Sequence, residues 1–386
     1  MHSTLTRFSF CKEVKMQRIC QIYLPSFYYS YMQRSLRAIT ELLEKLKDVG
    51  FNGIYLIALW RDGGADNGFD IIEYTVNPKF GTQEDFVNLL KKAYSLGMTV
   101  GVDVVPNHVS DEHLLARECL KGTPGYEDCL YIVSEDEAKR LTAAGVPSFF
   151  GKHAYSRIGD KYVRTTFADY HQLNLNWNSE KVRQYFEGIF FQLPYYLGIN
   201  FVRVDCGMML HEDVSKADPN NPMACMDPVK SVNAIREVAG RMPLFYEWFD
   251  PDSSDIFDDM TNCYALDCGF IISHQLNTNW QRHRKLVPLL GGHDQKTLAD
   301  RTDEWETILN SLDYGGYEYV FLDIPTLIGW RTRDEILPRD RNADAMLQYV
   351  TTASNPNQRY RGRRPIYPVL KEFYRKCFPG ENPPSI

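Results

Sequence analysis

The chain has 386 residues, 44% of them hydrophobic and 24% charged, a balance that fits a globular protein of one large or two ordinary domains. Its formal net charge of −7 argues against nucleic acid as the main partner, because phosphate binding leans on Lys and Arg. No apolar run is long enough to cross a membrane, Met1–Phe8 has no signal-like character, and the nine cysteines form no C-x-x-C pair, which predicts a cytoplasmic protein with reduced thiols and no membrane partner.

Taken in order, Arg18–Pro25 is an apolar run closed by proline and predicts a first strand. Arg37–Val49 carries Ile39, Leu42, Leu43 and Leu46 at helical spacing and stops at Gly50. Phe51–Ala58 predicts a strand, Glu84–Leu96 a helix stopped by Gly97, and Met98–Val105 a third, almost wholly apolar strand. Near-continuous apolar strands alternating with amphipathic helices mean a parallel sheet buried on both faces.

The alternation pauses between Val109 and Tyr170, a polar and irregular excursion too long for a plain loop. It resumes with a helix over Ser179–Leu197 and a strand ending at Asp205, then a helix over Val229–Gly240 and a strand over Pro243–Trp248. Further strands are expected at Cys263–Leu266, Lys285–Leu290 and Ile324–Ile328, and a last helix at Arg363–Phe378. Eight such units point to a closed (β/α)8 TIM barrel. The expected division is barrel over 1–108, inserted domain over 109–170, and barrel with a C-terminal helix over 171–386.

Reactive groups of such a barrel sit just past the C-terminal ends of the strands. Asp103, Asn107 and His108 follow the third strand, Arg203 and Asp205 end the fourth, Glu247 ends the fifth, and His293 and Asp294 follow the seventh. Each has a bland reading. Arg203 and Asp205, two apart on one strand face, can be a structural ion pair or an arginine holding a carboxylate nucleophile ionised. Asp103 reads as a brace for Arg203, Asn107 can cap a turn, and His108 and His293 can be satisfied polar residues. Singly the bland reading is favoured for most of them. Their collection at one end of consecutive strands favours chemistry.

Asp103-Val-Val-Pro-Asn-His108, Phe201-Val-Arg-Val-Asp205, Glu247 and Gly292-His-Asp-Gln295 resemble, in order, the four signature regions of the α-amylase-type glycoside hydrolases of family 13. Gln172-Leu-Asn-Leu-Asn176 resembles an additional signature, and Ile324–Gly329 the family's eighth strand. The likeness is nearest to the branch of oligo-α-glucosidases, sucrose isomerases and trehalose synthases. It implies a retaining mechanism on a small α-linked glucoside, with Asp205 as nucleophile, Glu247 as acid and base, and Asp294 stabilising the transition state. It further implies that His108 and His293 hydrogen-bond the sugar and that Phe69 stacks on it where the family usually has tyrosine. Asp70 is expected to hold Arg203 or a sugar hydroxyl. Tyr246 and Trp248 are expected to raise the Glu247 pKa by desolvation, and Trp248 to wall the acceptor side.

Several positions depart from the family. Gly292 replaces asparagine, and Lys296-Thr297 replaces the Pro-Arg pair of the oligo-glucosidase branch. Met208-Met209 stand where endo-acting starch enzymes have Lys-His. Tyr28–Arg34 contains no acidic residue, so no calcium and no other cofactor is expected. The usual C-terminal β-domain is expected to be missing. Phe321-Leu-Asp323 is a competing fourth region, rejected because Ile324-Pro325 reads as the eighth strand. Against the enzyme stands one alternative, a catalytically silent amylase-like scaffold that binds a partner or sugar.

Overall fold

The computed structural model describes residues 17–25, 32–48, 51–66, 68–149, 153–165 and 171–247, with the short segments 260–262, 286–287, 289–290 and 319–323. Strand β1 (Gln17–Tyr23) leads through helix α1 (Ser35–Asp48) to β2 (Gly53–Ile57). Leu36, Ile39, Leu42, Leu43 and Leu46 form the buried stripe of α1. A hairpin of β3 (Trp60–Asp62) and β4 (Ile71–Val76) precedes α2 (Gln83–Ser95) and β5 (Thr99–Val104). Helix α2 starts with a reciprocal cap: Thr82 Oγ1 accepts the Asp85 N–H, and the Asp85 carboxylate accepts the Thr82 N–H. Arg37 Nε donates to the same carboxylate at 2.6 Å, tying α1 to α2.

The excursion after β5 is more regular than its polar sequence suggested. It opens with β6 (His108–Val109) and contains α3 (Leu114–Lys121), β7 (Ile132–Val133), α4 (Glu135–Ala143), β8 (Tyr155–Ile158) and β9 (Lys161–Arg164). Strands β7, β9 and β8 form a small antiparallel sheet. Ala138, Leu141, Val146, Ala154 and Tyr155 give the segment a core of its own. Short strands with charged outer faces hide their period from a composition reading. The return strand β10 (Leu173–Asn174) pairs antiparallel with β6 and closes the neck. Trp177 locks it, its indole N–H donating to the Pro106 carbonyl at 2.8 Å.

The chain then re-enters the barrel through α5 (Glu180–Gln192), β11 (Phe201–Val204), α6 (Pro228–Ala239) and β12 (Leu244–Glu247). The remaining strands are β13 (Met260–Asn262), β14 (Leu286–Val287), β15 (Leu289–Leu290) and β16 (Tyr319–Asp323). All pairings in this sheet are parallel, in the order β14-β13-β12-β11-β5-β2-β1-β16-β15. Strands β14 and β15 are one residue apart in the chain; the first pairs with β13 and the second with β16, so the parallel strands close into a barrel.

The described part of the sixth strand is Met260–Asn262, with Met260 in register with Phe245, and that of the eighth is Tyr319–Asp323, paired with β1; the expected stretches Cys263–Leu266 and Ile324–Ile328 lie outside the described residues. Asp323, the competing acid, belongs to β16, in register with Gln21 of β1. Asp294 is still favoured by following the seventh strand. The last helix, the C-terminal domain, the first-strand loop, Trp248, His293 and Asp294 lie outside the described residues. Among the described residues no helix is long and apolar enough to cross a membrane.

Side chains alternate along each strand, so the barrel interior is built in layers. Gly101 leaves room for Phe201; a Cβ on it would lie 2.0 Å from the Phe201 ring. Phe201 meets Phe245 edge to face at 5.1 Å between centroids. Above this apolar floor the next inward positions are Asp103 and Arg203, adjacent in register. Asp205 and Glu247 come last, at the open end of the barrel.

Candidate active site

Arg203 is the centre of the site and is about 1% exposed. Its Nη1 donates to Asp103 Oδ1 at 2.9 Å and to Asp205 Oδ1 at 2.7 Å, and its Nη2 lies 3.1 Å from Glu247 Oε2. One guanidinium thus serves three buried carboxyl groups. Three negative charges against one positive is not a stable composition for a buried cluster, so a proton must be retained within it. The group that holds it is Glu247, whose pKa is raised to about 8. Burial is the largest cause; Arg203 opposes the shift, and the neighbouring Asp205 charge reinforces it.

Asp103 is fixed from every side. Its carboxylate accepts the Tyr55 hydroxyl and the Ala58 N–H (3.2 Å) besides Arg203, and its carbonyl accepts the Trp60 indole N–H at 2.6 Å. This makes it a brace for Arg203, as the sequence suggested. Ala58 reaches it from a left-handed backbone (φ 64°). Gly68 packs on Ala58 so closely that a Cβ there would lie 2.2 Å from the Ala58 Cβ. At φ +112° Gly68 also has a conformation that only glycine adopts freely.

The chain leaves β11 through Asp205 and then Cys206, a second left-handed non-glycine residue (φ 47°, ψ 30°). Such a residue costs about 1–2 kcal/mol, and strain of this kind gathers at functional sites. The turn aims the Cys206 N–H at Glu247 Oε2, at 3.0 Å, with Cys206 Sγ 3.4 Å from the same oxygen. Ligand atoms of Asp205, Cys206 and Glu247 all lie within 4.8 Å of one another. Among the described residues this is the group that could hold a metal ion, but the Arg203 guanidinium already supplies its positive charge. With ligand atoms within 4.8 Å, the two carboxyls lie nearer than the about 6.5–9.5 Å of an inverting pair.

The other expected residues are placed as follows. The Phe69 ring is buried, with the Arg203 guanidinium carbon 5.8 Å from its centroid. Asp70 does not hold Arg203: it accepts the N–H groups of Ala65 (3.0 Å) and Asp66 (3.2 Å), because the 63–70 loop folds back on its own carboxylate. His108 is buried, with Nδ1 3.2 Å from Asn107 Oδ1 and Nε2 3.1 Å from the Gln172 amide nitrogen. Burial lowers its pKa to about 4, so it is a neutral ring. Tyr246 does not line the Glu247 pocket; alternation turns it to the opposite face, where it packs toward Gly207. Met208 and Met209 are buried, and the Met209 carbonyl accepts the Asn107 amide at 2.6 Å.

Two features escaped the sequence reading. Gln172 bridges His108 to Asp66, linking the neck of the insert to the loop after β3. Arg164 of the insert forms a buried two-pronged pair with Glu212, at 2.9 and 2.6 Å, and donates to the Ala154 carbonyl at 2.9 Å. This pair anchors the insert beside the turn that follows Asp205. Their residues are far apart in sequence, and no local pattern signals either contact. Among the described residues, Cys119, Cys129, Cys206 and Cys225 form no disulfide.

Comparison with known families matches residues 21–246, more than half of the chain, to "Alpha amylase, catalytic domain". Maltase 1 of Drosophila virilis is 31% identical over 216 residues, which cover 53% of this chain and 33% of the relative. Oligo-1,6-glucosidase of Bacillus cereus is 32% identical over 174 residues, covering 44% and 30% respectively. The chain thus spans about a third of the length of these relatives. Trehalose-6-phosphate hydrolase of Bacillus licheniformis superposes with a TM-score of 0.70 at 19% identity, covering 93% of this chain and 72% of that one. Isomaltulose synthase from Klebsiella sp. LX3 gives 0.67 at 18% identity, with 94% and 72% covered. At these identities the structural neighbours speak to the fold alone.

Proposed function

The chain belongs to the α-amylase catalytic-domain family, and from that membership we propose that it is a retaining enzyme acting on a small α-linked glucoside. The observation that carries the reading is the single buried arginine shared by Asp103, Asp205 and Glu247, with a proton held on Glu247. Asp205, ion-paired with Arg203, attacks the anomeric carbon as Glu247 gives its proton to the departing oxygen. The glycosyl–Asp205 ester is then opened by an acceptor that Glu247, now a base, deprotonates. Asp294 stabilises the positive charge that develops on the sugar. Phe69, His108, His293 and Trp248 shape the pocket, and Asp70 keeps the loop bearing Phe69 in place. His108 reaches the sugar by exchanging its Gln172 contact for a hydroxyl.

Water as acceptor gives hydrolysis, and a second sugar gives transfer or isomerisation. Relatives carry the names maltase, oligo-1,6-glucosidase and trehalose-6-phosphate hydrolase, so the substrate class is a short α-glucoside or its phosphate. The test is a panel of maltose, isomaltose, sucrose, trehalose, trehalose 6-phosphate and an aryl α-glucoside, with products followed by NMR. Formation of the α-configured product from at least one of them is expected. No product from any substrate, with no covalent intermediate, would leave the silent scaffold as the better reading.

A further inference from the structure

Glu247 Oε2 is surrounded by donors: the Cys206 N–H at 3.0 Å, the Cys206 thiol at 3.4 Å and Arg203 Nη2 at 3.1 Å. A carboxyl oxygen offers about two lone pairs, and three donors fill them. A proton on Oε2 would have to displace one of these donor hydrogens. We infer that Cys206 is a positioning residue for the acid and base, holding Oε2 as the permanent acceptor so that the catalytic proton is carried by Oε1. The inference rests on the proposed role of Glu247.

Three observations support it independently of that role. Cys206 is one of only two left-handed non-glycine residues among the described residues, and its turn is what directs the N–H to Glu247. Its side chain is buried and contacts the same oxygen rather than a second partner. Burial and the flanking Asp205 and Glu247 carboxyls push its thiol pKa well up, so the S–H remains a donor over the working range. The groups facing Glu247 are thus Arg203 and Asp205 from β11 and its end and Cys206 from the turn.

The test compares Cys206→Ala and Cys206→Ser, with Glu247→Gln as reference. An S–H is a weak donor, and hydrogen bonds to the charged form lower a carboxyl pKa. The alanine variant therefore raises the Glu247 pKa, and serine, an oxygen donor in the same place, restores it. The titration is read by difference infrared spectroscopy of the protonated-carboxyl stretch, assigned by its loss in Glu247→Gln, and needs no turnover. An upward shift of about half a unit in Cys206→Ala and its reversal in Cys206→Ser are expected. In rates, Cys206→Ala lowers kcat on maltose about fivefold but leaves an aryl α-glucoside with a good leaving group nearly unaffected, since only the former needs full protonation. An unshifted band, or equal losses on both substrates, overturns the positioning role. A band that survives in Glu247→Gln, or full maltose turnover by that variant, overturns the acid assignment itself.

Discussion

Among the described residues two arginines are buried almost completely, and they are used in opposite ways. Arg164 meets one carboxylate, Glu212, two-pronged, and gives a further donor to a carbonyl. Its charge is balanced, and the pair joins the insert to the barrel. Arg203 meets three carboxyl groups, its charge is outnumbered, and the imbalance is settled by a proton retained on Glu247. Burial alone therefore does not separate a structural ion pair from a reactive one. The count of charges around it does, because an unbalanced cluster is one proton away from changing state.

The sharpest way to break this contrast is Asp205→Asn. Turnover should fall by about four orders of magnitude or more, measured as glucose release from whichever panel substrate is active; a loss below tenfold would move Asp205 back among structural residues. Glu212→Ala probes the other arginine. Leaving Arg164 buried and unpaired should cost about 3–5 kcal/mol, read from the urea midpoint, while the alkaline limb of activity stays where it was. A parallel change of that limb would mean the two arginines are not separate.

The third prediction concerns pH. Glu247 must be protonated to act as acid, and its pKa lies near 8. Activity should hold through neutrality and drop tenfold per unit above about 8. The same shift fixes the sign of its effect on stability. The raised folded pKa means that its contribution is fully present below the ordinary 4.5 and is lost as pH rises toward about 8. Glu247→Gln should flatten that dependence in urea titrations across this range. The smallest effect expected is that of Gly68→Ala, which drives a methyl into Ala58 at a left-handed position and should cost about 1–3 kcal/mol. It would loosen Asp103 through the Ala58 N–H, so a lowered thermal midpoint and reduced kcat are expected together.

Much of this was legible in the sequence because it is local. The buried strands β2, β5, β11 and β12 are near-continuous apolar runs, and the Arg203-Val-Asp205 spacing puts both charges on the inner face by alternation alone. Asp103 was readable as a brace because it ends the neighbouring strand. What escaped depends on register or on distant pairing. Hydrophobicity marked Cys263–Leu266 and Ile324–Ile328, while the described pairing covers the residues just before them, Met260–Asn262 and Tyr319–Asp323. Asp70 was assigned to Arg203 or a sugar hydroxyl from the family resemblance, and only the folded loop shows it turned to Ala65 and Asp66. Tyr246 was assigned by adjacency to Glu247, which in a strand means the opposite face. The reach of Cys206 to Glu247 requires a left-handed turn that nothing in a cysteine announces.

The central claim, that the Arg203 cluster is a nucleophile and its acid rather than an oversized salt bridge, is tested most directly by trapping. Incubation with a 5-fluoro-α-glucosyl fluoride, which slows breakdown of the intermediate more than its formation, should raise the protein mass by one fluoroglucosyl unit. Peptide mass spectrometry should place that unit on Asp205, and Asp205→Asn should stay unlabelled. Labelling at another carboxylate, or turnover of the reagent with inverted product and no label, would contradict the account.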